Sequence, residues 1–373
     1  MSRKRRDAGR YATRAILFIT IVVGVACAGL FLCFFFIYRS LTDLAFVGED
    51  TWAHYRNGGM FLAVPPSMSS DGQIAFASVC TGQGDIYIFK QNGAHATRLT
   101  SSELFESSPV FSPDGRRIAF AREDNGRRHI WLMRADGASE TQLTSGNTLD
   151  DPKAFSADGR HLIFHRSHAP LLGQGATTRS CVLETGKAAS GPIDVGFMAV
   201  FTSDSEAVIF STEQGELWRL DLKYGNSKRR LAGRGWPCGV SMDGRYLVTQ
   251  QPTRQPGWNV DGEIWVQDLE FETELQIARG HSPVLFNGEG LFVFYFKGLE
   301  QTPFVTAIDG GNPVQIGLPP GYKTHPRPSP GGRSIILATG LQTGSPNYDI
   351  VLFSAGDMEG NVVASVSCAS SSY

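Results

Sequence analysis

The 373 residues carry 34 Lys and Arg against 36 Asp and Glu, a formal charge of −2, with 42 Gly, 19 Pro and 11% aromatics. So many Gly and Pro suit tight turns and disfavour long helices. Six basic residues (Arg3, Lys4, Arg5, Arg6, Arg10 and Arg14) precede the first apolar segment with only Asp7 against them, so the remainder is acidic and lacks the basic face that nucleic-acid binding wants.

Residues 1–14 read as a basic cytoplasmic tail. Residues 15–38, Ala15 to Tyr38, carry no charge. At 1.5 Å per residue they reach about 36 Å, enough for one transmembrane helix. That is too long for the apolar region of a cleaved signal peptide. Cys27 after Val25 and Ala26 resembles a lipoprotein cleavage site, but Gly24 stands where a Leu is expected. The charge bias places the N-terminus in the cytoplasm. The expectation is a single-pass protein of the cell membrane, its globular part periplasmic or extracellular. Residues 39–58 form a short tether.

From residue 59 a phrase recurs. Its clearest copy is Phe111-Ser112-Pro113-Asp114-Gly115-Arg116-Arg117-Ile118-Ala119-Phe120. Pro113 presets φ, Asp114 accepts backbone N–H groups, and Gly115 supplies a positive φ, so the phrase reads strand, tight turn, strand. Further copies hold Asp71-Gly72, Asp158-Gly159, Asp204-Ser205 and Asp243-Gly244, with weaker ones at Asn287–Gly290 and Ser329–Gly332. From Asp71 to Glu289 the turn acids step by 43, 44, 46, 39 and 46 residues. A period of roughly 40–45 residues is that of a propeller blade. Inside each period lies a polar-then-apolar strand, such as Asp85–Phe89, His129–Met133 or Glu216–Leu220, followed by a turn such as Asp136-Gly137 and a short strand such as Gln142-Leu143-Thr144. Four strands per period make one blade.

These residues resemble the WD40-like repeats called PD40, which build the propeller of TolB and its relatives. The resemblance covers about residues 59–367 and implies an all-β fold, a β-propeller of four-stranded antiparallel blades. Seven Asp-Gly-type turns argue for seven blades. The resemblance to TolB implies six, which is the alternative. Residues 368–373 form a flexible tail. Cys181 and Cys238 read as core. Cys80 and Cys368 read as two unpaired small hydrophobes, though ring closure would also permit a disulfide between them.

The Asp-Gly turns lie on one face of such a ring. The segments that lead into each innermost strand lie on the other, at the channel mouth, with the long hairpins 165–180 and 250–262. Long loops on a rigid scaffold carry binding sites. The candidate binding residues there are Glu106, Asp150, Asp151, Trp236, His281, Lys323, His325 and Arg327. They mix acids, bases and an aromatic, as a polar ligand or a protein tail requires. The competing reading is that an acid or His shortly before a Pro only orders its loop. His161, His165 and His168 read as scattered histidines on a surface strand.

No catalytic residue and no cofactor is expected. The sequence has no Gly-x-Ser-x-Gly elbow, no His-Glu-x-x-His and no paired Cys-x-x-Cys. A similarity of architecture to seven-bladed oligogalacturonate lyases, which hold a metal in a His-rich channel, implies His281 and His325 as weak metal candidates. The leading expectation is a membrane-anchored protein-binding scaffold of the cell envelope, partnered by the membrane and by an envelope protein or peptide segment. The alternatives are a metal-dependent polysaccharide lyase and a small-ligand sensor.

Overall fold

The computed structural model describes residues 64–366 except 81–83, 91–95, 169–177, 187–190, 224–225, 252–260, 289, 322, 341–346 and 355–359. The expected tail, membrane helix, tether and C-terminal tail lie outside these residues, as do the central parts of both long hairpins. Among the described residues no helix is long and apolar enough to cross a membrane.

All regular structure described is strand. The first sheet runs β1 (Ser67–Met68), β2 (Gln73–Ser78), β3 (Asp85–Lys90), β4 (Thr97–Arg98). The second joins β5 (Phe105–Phe111), β6 (Arg117–Asp124), β7 (Arg127–Arg134) and β8 (Thr141–Gln142) to β9 (Thr148–Phe155), β10 (His161–His168), β11 (Thr178–Glu184) and β12 (Ile193–Gly196). The third holds β13 (Ala199–Phe201), β14 (Ala207–Ser211), β15 (Glu216–Asp221) and β16 (Lys228–Arg234). The fourth holds β17 (Trp236–Val240), β18 (Tyr246–Gln251), β19 (Gly262–Asp268), β20 (Thr273–Asn287), β21 (Leu291–Lys297), β22 (Thr302–Ala307) and β23 (Val314–Gln315). The fifth holds β24 (Arg327–Pro328), β25 (Ser334–Thr339), β26 (Tyr348–Ser354) and β27 (Asn361–Val366). Pairing follows chain order and is antiparallel, apart from one parallel contact of β7 with β9. The long β20 pairs with β19 up to Gly280 and with β21 from His281.

Second strands are continuous apolar runs because both of their faces are covered. Ile118, Ala119, Phe120 and Ala121 are all fully buried. The outermost β16, by contrast, presents Lys228, Arg229 and Arg230 to solvent, which blunts a free sheet edge.

Adjacent strand groups share apolar cores in sequence. Val110 and Ile130 pack with Phe164 and Leu183, Val182 with Val208, Ile209 with Leu247, Val248 with Val293, and Phe294 with Leu337 and Phe353. The last group then meets the first, since Ile336, Tyr348 and Ile350 join Ile74, Phe76 and Ile86. The cycle is closed. Burying a side chain of this size stabilises by about 1.5–3 kcal/mol.

The recurring turn has recurring chemistry. The Ser112 hydroxyl donates to Asp114 Oδ1 at 2.6 Å, and its oxygen accepts the Arg117 N–H at 3.0 Å. The pairs Ser156–Asp158, Thr202–Asp204 and Ser241–Asp243 repeat the arrangement. The donated hydroxyl holds the carboxyls of Asp71, Asp114 and Asp243 below their ordinary range. Gly115 closes its turn at φ +68°, and the fourth copy places Ser205 at +60°.

Cys80 is disulfide-bonded, which overturns the reading of it as an unpaired hydrophobe. Its partner lies outside the described residues, because Cys181 and Cys238 are free.

Candidate functional site

The first strands of successive groups pack on one another, β1 on β5, β5 on β9, β13 on β17, and β17 on β20. They enclose the axis of the ring. The sequence places the residues before each Pro in loops. The structure places Glu106, Asp150, Asp151, Trp236 and His281 inside strands β5, β9, β17 and β20. The reason is a repeated bulge. Register shifts fall between Ser107 and Val110, at Lys153, between Pro237 and Gly239, and between His281 and Val284. Pro109, Pro152, Pro237 and Pro283 sit at these shifts, where a missing N–H breaks no ladder bond. Ser108 and Ser282 take up the kink at φ +55° and +53°.

Most of the expected site residues are buried and engaged by other residues of the chain. Glu106 is fully buried and accepts from Arg122 Nε at 2.6 Å and Ser102 Oγ at 2.8 Å. Asp150, also fully buried, takes both Nε and Nη2 of Arg166 at 2.8 Å. Both pairs span 16 residues and tie an inner strand to its neighbour. Arg122 also lies over the Trp131 ring at 4.4 Å. Trp236 is buried against Phe197, ring centres 5.4 Å apart. His281 is buried, its Nδ1 at 3.2 Å from Ser282 Oγ and its Nε2 at 3.3 Å from the Gly298 carbonyl. Lys323 is buried and donates through Nζ to the Gly321 carbonyl at 3.0 Å.

The remaining candidates lie on or beside innermost strands. Arg327 Nη1 donates to the Pro109 carbonyl at 2.9 Å, linking β24 to β5 across the first sheet. Asp151 takes Arg128 Nη1 at 3.0 Å and the Ser108 hydroxyl at 3.0 Å. His325, just before β24, keeps part of its surface open, while neighbouring protein crowds its ring. Lys153 and His165 complete the group, and neither was expected there. Lys153 is the extra residue of the β9 bulge, so strand alternation misplaces it. His165 is the cross-strand partner of Asp151 and is half-buried. That pairing is the one signal that could have found it.

The electrostatics follow from crowding. Burial, then the nearby Lys153 and His325, push the His165 imidazole well below its ordinary range. Loss of solvent around His325 lowers its pKa in the same way, with Lys153, His281 and Arg327 adding like charge. Among the described residues no group of three or more His, Cys, Asp or Glu side chains is placed to hold a metal ion. His281 would have to give up its contacts to become a ligand.

Residues 64–220, under half of the chain, match the family model described as the Tricorn protease N-terminal beta propeller domain. No curated protein sequence matches the chain. Among solved structures it is similar to oligogalacturonate lyase from Vibrio parahaemolyticus, at 12% identity over 79% of this chain and 90% of that one, TM-score 0.55. It is similar to a puromycin-hydrolysing peptidase from Mycobacterium tuberculosis, at 12% identity over 85% of this chain and 55% of that one, TM-score 0.57. TolB from Acinetobacter baumannii is matched at 21% identity over 65% of this chain, TM-score 0.45, and the chain spans 63% of its length. Together with the closed cycle of sheets, the family match and the structures above a TM-score of one half make this chain a β-propeller. Likeness at such identities concerns fold alone.

Proposed function

We propose that the chain is a membrane-anchored, extracytoplasmic propeller that acts as a binding scaffold for an envelope protein or peptide, engaged at the channel-mouth face. The observation that carries the reading is that Arg327, Lys153, His165 and His325, from strands far apart in sequence, lie near enough to feel one another's charge. These are groups that recognise a polar segment. The seven four-stranded runs, β20 serving two of them, favour seven blades over six, and the apolar run 15–38 supplies the anchor. A TolB-like role rests on the repeat phrase. The metal-dependent lyase reading has less support, because the His281 ring is buried and engaged on both nitrogens. A small-ligand sensor has no observation of its own here.

The test is photo-crosslinking of the full chain in its native membranes. A photoreactive residue replaces Glu103, exposed just before β5, or Arg116, exposed on the opposite face at an Asp-Gly turn. A discrete protein adduct from position 103 and none from 116 is expected. Adducts only from 116, or from neither, would overturn the choice of face.

A further inference from the structure

We propose that the chain pairs with a second copy of itself across a two-fold axis, each copy seating its Phe271 turn in a groove between the β13–β16 and β17–β20 strands of the other. This surface is separate from the channel mouth, so the inference goes beyond the reading above and does not rest on it.

The groove is a cavity of about 540 Å³. At one end its two sides touch. Gly233, at φ +79°, lies so close to Gln267 that a Cβ there would fall 2.6 Å from the amide, and Gln267 Nε2 donates to the Arg234 carbonyl at 3.2 Å. Away from that contact the sides part over an apolar floor of Ile209, Leu231 and Leu269.

The two walls carry opposite charge. On one, Arg219 and Arg229 are directly opposed cross-strand partners, with Arg230 beside them. The other is formed by the turn after β19 and the start of β20, with Glu270, Glu272 and Glu274. Among the described residues, every ion pair of the groove stays within its own wall. Arg219 is held by Asp221 at 2.9 Å and Asp204 at 3.9 Å, and Arg230 by Glu216 at 3.2 Å. Arg245 answers Asp268 at 2.7 Å and Glu270 at 3.5 Å. Asp243 accepts the Ser241 hydroxyl and the Arg245 N–H. Arg229 on one wall, and Glu272 and Glu274 on the other, belong to no such pair. Like charges opposed across a strand pair are destabilising, so a carboxylate arriving at Arg229 relieves its neighbour Arg219 as well.

An apolar floor under a cationic wall fits an aromatic side chain flanked by carboxylates. The chain's own turn has that chemistry. Phe271 is 63% exposed between Glu270 and Glu272, and the Arg245 guanidinium lies over its ring at 4.9 Å and holds it in place. The neighbouring Asp-Gly turn adds Met242, 64% exposed. Turn and groove adjoin each other, so a two-fold axis between them lets each copy offer its turn and receive the other's. The contact is isologous and closes at two copies. Glu272 of each copy then meets Arg229 of the other.

The experiment is sedimentation equilibrium of the full chain in density-matched nonionic detergent, at low and at high salt. A dimer is expected, weaker at high salt because its ion pairs are exposed. Phe271→Ser weakens it by about tenfold or more, as loss of burial of one large apolar side chain per copy requires. Arg229→Glu and Glu272→Arg are each monomeric alone, because each sets like charges against one another at both contacts. An equimolar mixture of the two dimerises again, because both contacts then join opposite charges. All three positions are exposed, so the fold does not depend on them. A chain that stays monomeric at every concentration, a dimer indifferent to Phe271→Ser, or a mixture of the two charge variants that stays monomeric would overturn the proposal.

Discussion

The Tyr348 hydroxyl donates to the Ala77 carbonyl at 2.7 Å, a bond between residues 271 positions apart. It joins β26 to β2 and so joins the last strand group to the first. Burial raises the Tyr348 pKa, which keeps the phenol a neutral donor. Tyr348→Phe leaves the ring's shape and removes the bond. The expected cost is about 1 kcal/mol, read as a lower denaturation midpoint. An unchanged midpoint would mean that the shared core of Ile74, Ile336 and Ile350 closes the ring unaided.

The two 16-residue pairs predict stability effects without binding effects. Glu106→Gln removes a fully buried carboxylate from its pair with the nearly buried Arg122, which keeps only the partly exposed Glu140 as an ion partner. A loss of roughly 3 kcal/mol is expected, as for breaking a buried pair from one side. The affinity of the folded fraction for a channel ligand should not change. A large affinity change at unchanged stability would return Glu106 to the binding site.

Ser205 sets two effects against each other. Its φ of +60° is strained for a residue with a Cβ, while its Oγ accepts the Asp158 N–H at 3.1 Å between strand groups. Ser205→Ala loses the bond and keeps the strain, so a loss of about 1 kcal/mol is expected. Ser205→Gly loses the same bond and relieves about 1 kcal/mol of strain, so it should be nearly neutral. Comparing the two midpoints by thermal denaturation checks the order.

The histidines predict an acid-side weakness. His165, His281 and His325 are all held below the ordinary value of 6.5, burial being the first cause. Below that value the unfolded chain binds more protons than the folded one. Stability is therefore full above it and falls as pH drops through 6.5 toward the folded value of about 3 for His325. His165→Gln should flatten that slope in a series of thermal midpoints. A slope that survives would assign it elsewhere.

The cysteines should divide by reactivity. Burial pushes the Cys181 and Cys238 thiols up to about 12. Neither should alkylate in the native chain at pH 8, and both should do so once it is unfolded. Cys80 should resist alkylation until reduced, and non-reducing peptide mapping will identify its partner. A native chain that alkylates at Cys80 without reductant would contradict the bridge.

Much of the architecture was legible in the residues themselves. The Ser-x-Asp-Gly phrase is local chemistry, closed within six positions, so its copies announce turns and strands wherever they fall. The site was less legible. Glu106 and Asp150 looked like ligand groups, because an arginine 16 residues away declares itself as a partner only once two strands lie side by side. Asp151 and Trp236 stood before prolines and suggested loops, because a bulge that accommodates Pro inside a strand depends on the neighbouring strand's register.

The sequence by itself determined the repeat, the all-β class and the apolar run at 15–38, since each depends on residues close together in the chain. Only the tertiary structure decided that Tyr348 meets Ala77, that Arg327 reaches Pro109, and that Lys153 and His165 come near His325. Those neighbours belong to strands brought together by ring closure, and closure is set by shared cores between sheets rather than by any local pattern.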